Sequence, residues 1–177
     1  MPNGYNASAF PTSFKDPAYD QADQSAAAAV GIPAQWITNI RTKGERSNAD
    51  QISSANAATP YQITPKTRDA ILKQTGVDPY LSPQTAAYGA AYLLKQSADR
   101  NGGNPILATA EYHGGTDRGR ALAARVVVGD DGLIGEAHGD LAHLGPLARI
   151  AVAAAAEHHH QPSAGVGTGR GESVGER

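Results

Sequence analysis

Apolar positions recur along this chain with helical rather than strand spacing. Residues 23–30 (DQSAAAAV) read as the opening of a short helix. In the GIPAQWITNIRTKGE segment, Ile32, Trp36, Ile37 and Ile40 fall on one helical face. Pro33 suits its first turn, Arg41 and Lys43 suit its carboxyl end, and Gly44 is positioned to terminate it. Glu45 is then expected at or just past a helix end. Residues 46–60 are short-sided and polar, which is loop chemistry. A helix is predicted from about 65, where Pro65 and Thr67 open it, to Gly76. The clearest helix follows Ser82-Pro83 and runs to about 100, with Ala87, Ala91, Leu94 and Ala98 at a 3.6-residue period. Asn104-Pro105 starts another that ends around His113-Gly114-Gly115, and residues 117–126 read as helical again.

The ends have a different character. Residues 1–22 are rich in Pro, Asn, Ser, Asp and Gly, and read as an extended arm, either solvated or docked on a partner through Tyr5, Phe10, Phe14 and Tyr19. Residues 126–157 combine a stretch that reads as hairpin or irregular loop with an Ala-rich helix, and 158–177 read as a flexible tail. The central unit is therefore 23–125.

Composition narrows the function. The chain has 177 residues, 40% hydrophobic but only 6% aromatic, so alanine carries much of the apolar content and a small, closely packed helical core is expected. With 15 basic and 17 acidic residues there is no basic excess to neutralise phosphates, and no nucleic-acid readout is expected. The absence of cysteine excludes disulfides and thiolate metal sites. No stretch approaches the roughly 20 apolar residues of a membrane span, and the first residues lack the basic and apolar regions of a secretory signal. His158, His159 and His160 are adjacent, and adjacent helical residues point in different directions, so no metal site is expected there. No cofactor is expected either.

Three segments carry candidate chemistry: Gly44-Glu45-Arg46-Ser47-Asn48, then Ser53 through Thr67, then Ala110-Glu111-Tyr112-His113-Gly114-Gly115. Together they resemble the soluble lytic transglycosylase domain, a relative of goose-type lysozyme. In that family a helix ends in Glu-Ser; a polar loop with a Ser leads to Gly-Ala-x-Gly-Leu-Met-Gln and Pro-x-Thr; Ala-Tyr-Asn-x-Gly comes much later. Here Gln62, Pro65 and Thr67 keep the family spacing, Ser53 lies nine positions before Gln62, and Glu45 lies 17 before it. The resemblance runs from about Gly31 to about Arg125. Arg46 replaces the family's Ser, Asn56 and Thr59 replace its two glycines, Pro60-Tyr61 replaces Leu-Met, and His113 replaces the Asn after Tyr.

The resemblance implies a mainly α, lysozyme-like domain with a substrate cleft, flanked by extended amino- and carboxyl-terminal arms. It implies cleavage of the β-1,4 bond between MurNAc and GlcNAc in peptidoglycan glycan strands. Glu45 is the expected general acid/base. Protonating the leaving oxygen requires a carboxyl that still holds its proton, and an apolar wall disfavours the charged form; Trp36, Ile37 and Ile40 are expected to supply that wall. A transglycosylase dispenses with a second carboxylate, and before Glu136 the only glutamates are Glu45 and Glu111. By matching position, Ser53 and Gln62 are expected to hold substrate or orient Glu45, Tyr112 to lie across the cleft and hydrogen-bond near Glu45, and His113 to stand where Asn bonds an acetamido sugar. Glu111 reads as one helical step off the cleft. A lysozyme-type hydrolase is the second enzymatic reading.

A substrate outside the cytoplasm, with no export signal, leads to an expected setting: a bacteriophage virion protein, with other virion proteins as partners, acting on the host periplasm and cell wall. The alternative is a structural virion protein keeping a degenerate, inactive lysozyme-like domain.

Overall fold

The computed structural model describes residues 1–123, with side chains through residue 115. The expected hairpin or loop and Ala-rich helix of 126–157, and the tail of 158–177 with its histidines, lie outside the described residues. The architecture is helical: α1 (Pro17–Val30), α2 (Ala34–Asn39), a π-helical turn (Ile40–Glu45), α3 (Pro65–Thr75), α4 (Pro83–Arg100) and α5 (Pro105–Ala123). Among the described residues the only β-pairing is an isolated antiparallel bridge between Ala58 and Ile63.

Local chemistry sets the boundaries. Asp16 caps α1 by accepting from the Ala18 amide, Pro17 sits in the first turn, and Gly31 closes the helix at φ 76°. Thr64 caps α3, which Gly76 ends at φ 75°. Ser82 and Thr85 form a reciprocal capping box at the start of α4. The α1 helix begins at Pro17, six residues before the predicted start, because the Asp16-Pro17 pair starts it within the stretch expected to be an arm.

The α4 helix is the centre of the packing; α1, α2, α3 and α5 all contact it. Its buried face is Ala86, Ala87, Gly89, Ala90, Ala91, Leu94 and Ala98. Small side chains let neighbouring helices come close, and Tyr5, Phe10, Tyr19, Tyr61 and Tyr80 supply the bulk of the core around them. Ile37, Ile40, Ile63 and Ile71 fill the space around it, each contributing roughly 1.5–3 kcal/mol through removal from water.

The first sixteen residues are not a solvated arm. Tyr5 and Phe10 are buried in the core, and Tyr5 stacks edge-on with Tyr80 at 5.3 Å. The Tyr5 hydroxyl donates to the Ala49 carbonyl at 2.6 Å, and the Ala49 amide donates to the Thr12 carbonyl at 2.9 Å. The Phe14 amide donates to Asn48 Oδ1 at 3.1 Å. The segment thus covers the loop that follows Glu45; two aromatic side chains were enough to fold an otherwise polar stretch onto the body.

Candidate active site

Glu45 is delivered by an unusual turn. From Ile40 the helix widens to a π-helix, and the Arg46 amide donates to the Arg41 carbonyl five residues back at 3.1 Å. Gly44, expected to end the helix, lies inside this turn; Arg46, at φ 52°, ends it.

The turn is anchored beneath by Arg41, which is 1% exposed. Its guanidinium donates to Asp23 Oδ2 at 2.7 and 3.2 Å, to Asp20 Oδ1 at 2.6 Å, and to the Phe14 carbonyl. Asp23, wholly buried, also accepts from Thr38 Oγ1 at 2.9 Å and from the Tyr61 hydroxyl at 2.6 Å. Burial, and next the Asp23 carboxylate, push the Tyr61 phenol well above its ordinary value, so it stays a donor. One buried cluster therefore joins α1, the π-turn and the loop carrying Tyr61.

That loop is tightly wound. Asn56 (φ 58°), Thr59 (φ 67°) and Gln62 (φ 52°) all adopt left-handed backbone. The Ala58 and Ile63 backbones exchange hydrogen bonds at 3.0 and 2.8 Å. Ser53 closes the loop's entrance, its Oγ accepting from the Ala57 amide at 2.9 Å. Gln62 Nε2 donates to the Thr59 carbonyl at 3.1 Å and the Gln51 carbonyl at 3.3 Å.

Between this loop and α5 lies a cleft of about 270 Å³, lined by Glu45, Ser53, Ala57, Gln62, Ile63, Thr64, Thr67, Leu93, Tyr112 and His113. All five site residues expected from the sequence meet here, and Glu45 is the only carboxylate among the lining residues described. Asp50 is exposed on the adjacent loop. Glu111 is off the cleft, bonded to Ser97 and, at 2.8 Å, to Arg100.

The arrangement departs from expectation at the apolar wall. Ile37 and Ile40 are fully buried in the core and Trp36 packs against it, so none of them walls the cleft; the widened turn carries Glu45 away from their face, and Ala57, Ile63 and Leu93 are the apolar lining. Tyr112 lines the cleft with Glu45 and donates its hydroxyl to the Tyr61 carbonyl at 2.8 Å. Burial, followed by the Glu45 and Asp23 carboxylates, pushes its phenol well above the ordinary value, which keeps it a donor that ties α5 to the loop. The Nδ1 of His113 lies 2.7 Å from Glu45 Oε1.

A protein-family model, the transglycosylase SLT domain, matches residues 21–126. The chain belongs to this family. The SLT domain accordingly covers the described helices from within α1 through α5, and the family is of transglycosylases of lysozyme-like type with peptidoglycan as substrate. No helix among the described residues is long and apolar enough to cross a membrane. The loop backbone accounts for the glycines expected at positions 56 and 59 by resemblance: both positions are left-handed here, a conformation glycine adopts without strain. Thr64, Thr67 and Leu93 line the cleft without having been singled out as site residues; Thr67 belonged to the motif spacing, whereas Leu93 carried no signal, lying off the Ala87, Ala91, Leu94 and Ala98 stripe of α4.

Proposed function

We propose that this SLT domain is a lytic transglycosylase that cleaves the MurNAc–GlcNAc β-1,4 bond with Glu45 as its acid and then its base. The observation that carries the reading is the single carboxylate: Glu45 stands in a cleft with Ser53, Gln62, Tyr112 and His113 and no second acid among the described lining residues. Glu45 gives its proton to the glycosidic oxygen as the bond from C1 breaks. The sugar's own N-acetyl carbonyl oxygen takes up C1. The ionised Glu45 then removes the proton of the 6-hydroxyl as that oxygen displaces the N-acetyl oxygen from C1, which regenerates the acetamide, closes a 1,6-anhydro ring and restores the acid. One group serves both halves, so nothing in the cycle calls for a second carboxylate.

The second part of the proposal is the setting. A domain with this substrate acts on the cell wall, and we place it in a bacteriophage virion among other virion proteins, opening the host wall during infection. The chain's detection in purified particles by mass spectrometry tests this part separately.

Digestion of purified peptidoglycan by wild type and Glu45→Gln tests the chemistry. Wild type is expected to release 1,6-anhydro muropeptides, and the variant to lose at least about 100-fold in rate. Reducing-end products assign a hydrolase instead. A folded wild type releasing nothing favours the rival reading of a structural virion protein with an inactive domain.

A further inference from the structure

The Glu45–His113 pair does more than fill the position of the family's Asn. Nδ1 of His113 is 2.7 Å from Glu45 Oε1, and the imidazole is 4% exposed while the carboxyl is 23% exposed. The other ring nitrogen, Nε2, is buried and has no hydrogen-bond partner among the described residues. A neutral imidazole carries one proton, on one nitrogen or the other. Placed on Nε2, that proton is a buried donor with nothing among the described residues to receive it, the costlier kind of orphan. Placed on Nδ1, it points at Glu45. The ring has little freedom to choose otherwise, since its neighbour Tyr112 packs against it edge-on, with centroids 5.6 Å apart, and is itself pinned to the Tyr61 carbonyl.

We infer that His113 is a positioning residue whose Nδ1–H holds Glu45 Oε1 throughout the reaction, so that Oε2 alone carries the catalytic proton and takes it back. A carboxyl has two oxygens and, left free, presents its proton on either. Oε1 can accept from Nδ1–H whether the carboxyl is ionised or protonated. The bond therefore persists through both halves of the cycle and removes the unproductive orientation. The imidazole neither gains nor loses a proton in this scheme. The inference rests on the proposed acid/base role of Glu45 for its consequence, but the tautomer and the bond are measurable without any turnover.

The test has two arms. In the first, the full chain is labelled with ¹⁵N-histidine and the ring nitrogens are read by long-range ¹H–¹⁵N correlation at neutral pH. His113 is expected to show a protonated Nδ1 and a lone-pair Nε2, and Glu45→Ala is expected to abolish that signature. The Nε2-protonated tautomer in wild type, or a signature indifferent to Glu45→Ala, overturns the inference. In the second arm, His113→Gln and His113→Asn are assayed on peptidoglycan. The expected result is a loss of about 10- to 100-fold in kcat, the scale of a misplaced catalytic group, with KM changed less than about threefold. Asn, which keeps a short amide donor, is expected to retain more activity than Gln. Unchanged kcat in both folded variants, or an effect confined to KM, overturns it and returns His113 to sugar binding. A wild type without activity sinks the proposed function, while the first arm still decides the pair.

Discussion

The left-handed residues of the cleft loop show what a substitution costs when a fold is kept. Thr59 is β-branched, wholly buried and at φ 67°, a backbone that costs such a residue about 1–2 kcal/mol. Part of this is recovered because its Oγ1 accepts from the Tyr61 amide at 3.3 Å. Thr59→Gly relieves the backbone, and loses roughly 0.8 kcal/mol per buried methyl-sized group and about 0.5–1 kcal/mol of unfolded-chain entropy. The two sides nearly cancel. Urea unfolding is expected to show a stability change below about 1 kcal/mol, whereas truncating a buried side chain commonly costs 2–5 kcal/mol. A loss above about 2 kcal/mol means that the Thr59 backbone is not strained. At this scale much of the site was legible: Glu45, Ser53, Gln62, Tyr112 and His113 were marked by the resemblance to the family's motifs, and they share a cleft. What His113 touches was not legible, because a motif position fixes where a side chain starts and not which neighbour it meets.

Among the elements, the capped helices were readable from their ends. Ser82-Pro83 and Thr64-Pro65 open α4 and α3 where predicted, because cap chemistry is local. The π-turn was not, since a bond to the fifth residue back leaves no mark in hydrophobic spacing, and Gly44 offered a plausible but unused stop. Asp23 was missed for a similar reason: an acid in an alanine-rich helix reads as solvated until its partner Arg41, 18 positions away, is seen beneath it. Close packing between elements supplies a prediction at Gly89 on α4. A Cβ there would lie 3.0 Å from Pro79 Cβ and 3.3 Å from the Cδ1 atoms of Ile63 and Ile71. In an exposed helix, glycine to alanine gains about 1 kcal/mol; here overpacking against a rigid proline ring outweighs it, at about 1–3 kcal/mol. Gly89→Ala is expected to lower the melting temperature by several degrees, and to reduce activity because Ile63 lines the cleft. A higher melting temperature contradicts the packing described here.

Across the whole molecule, two carboxylates far apart in the chain make stability sensitive to acid. The Arg68 guanidinium, donating to Asp78, holds that carboxyl below its ordinary 3.8. Burial opposes ionisation of Glu111, but hydrogen bonds from Ser97, Arg100 and Asn101 outweigh it and leave the group below its ordinary 4.5. In both cases the unfolded chain binds protons more readily than the folded one, so stability rises with pH across the window between the folded and unfolded values. It is fully present above about pH 5 and is lost as pH falls through the lowered folded values. Melting temperature is expected to be level from pH 7 to about 5 and to fall below that, and Arg68→Met is expected to flatten part of the fall. Buried Asp23, whose carboxyl burial pushes up, contributes with the opposite sign, so the variant decides: an acid limb unchanged in Arg68→Met rules out the Asp78 assignment. The mainly helical architecture was legible from periodicity. The covering of the body by residues 1–16 was not, since Tyr5 and Phe10 sit in a polar context and find their partners only in three dimensions.

The widened turn before Glu45 also bears on how this domain tolerates insertion and deletion. A π-helical bond spans one residue more than an α-helical one, so the Glu45 carboxyl stands one step out of register with the helix that delivers it. Removing a single residue from 42–44 would let the turn relax to ordinary helix and rotate whatever follows by about 100°. Glu45 would then swing away from His113 and out of the cleft while α1, α3 and α4 kept their packing. Length, as much as identity, is what this short segment has to conserve.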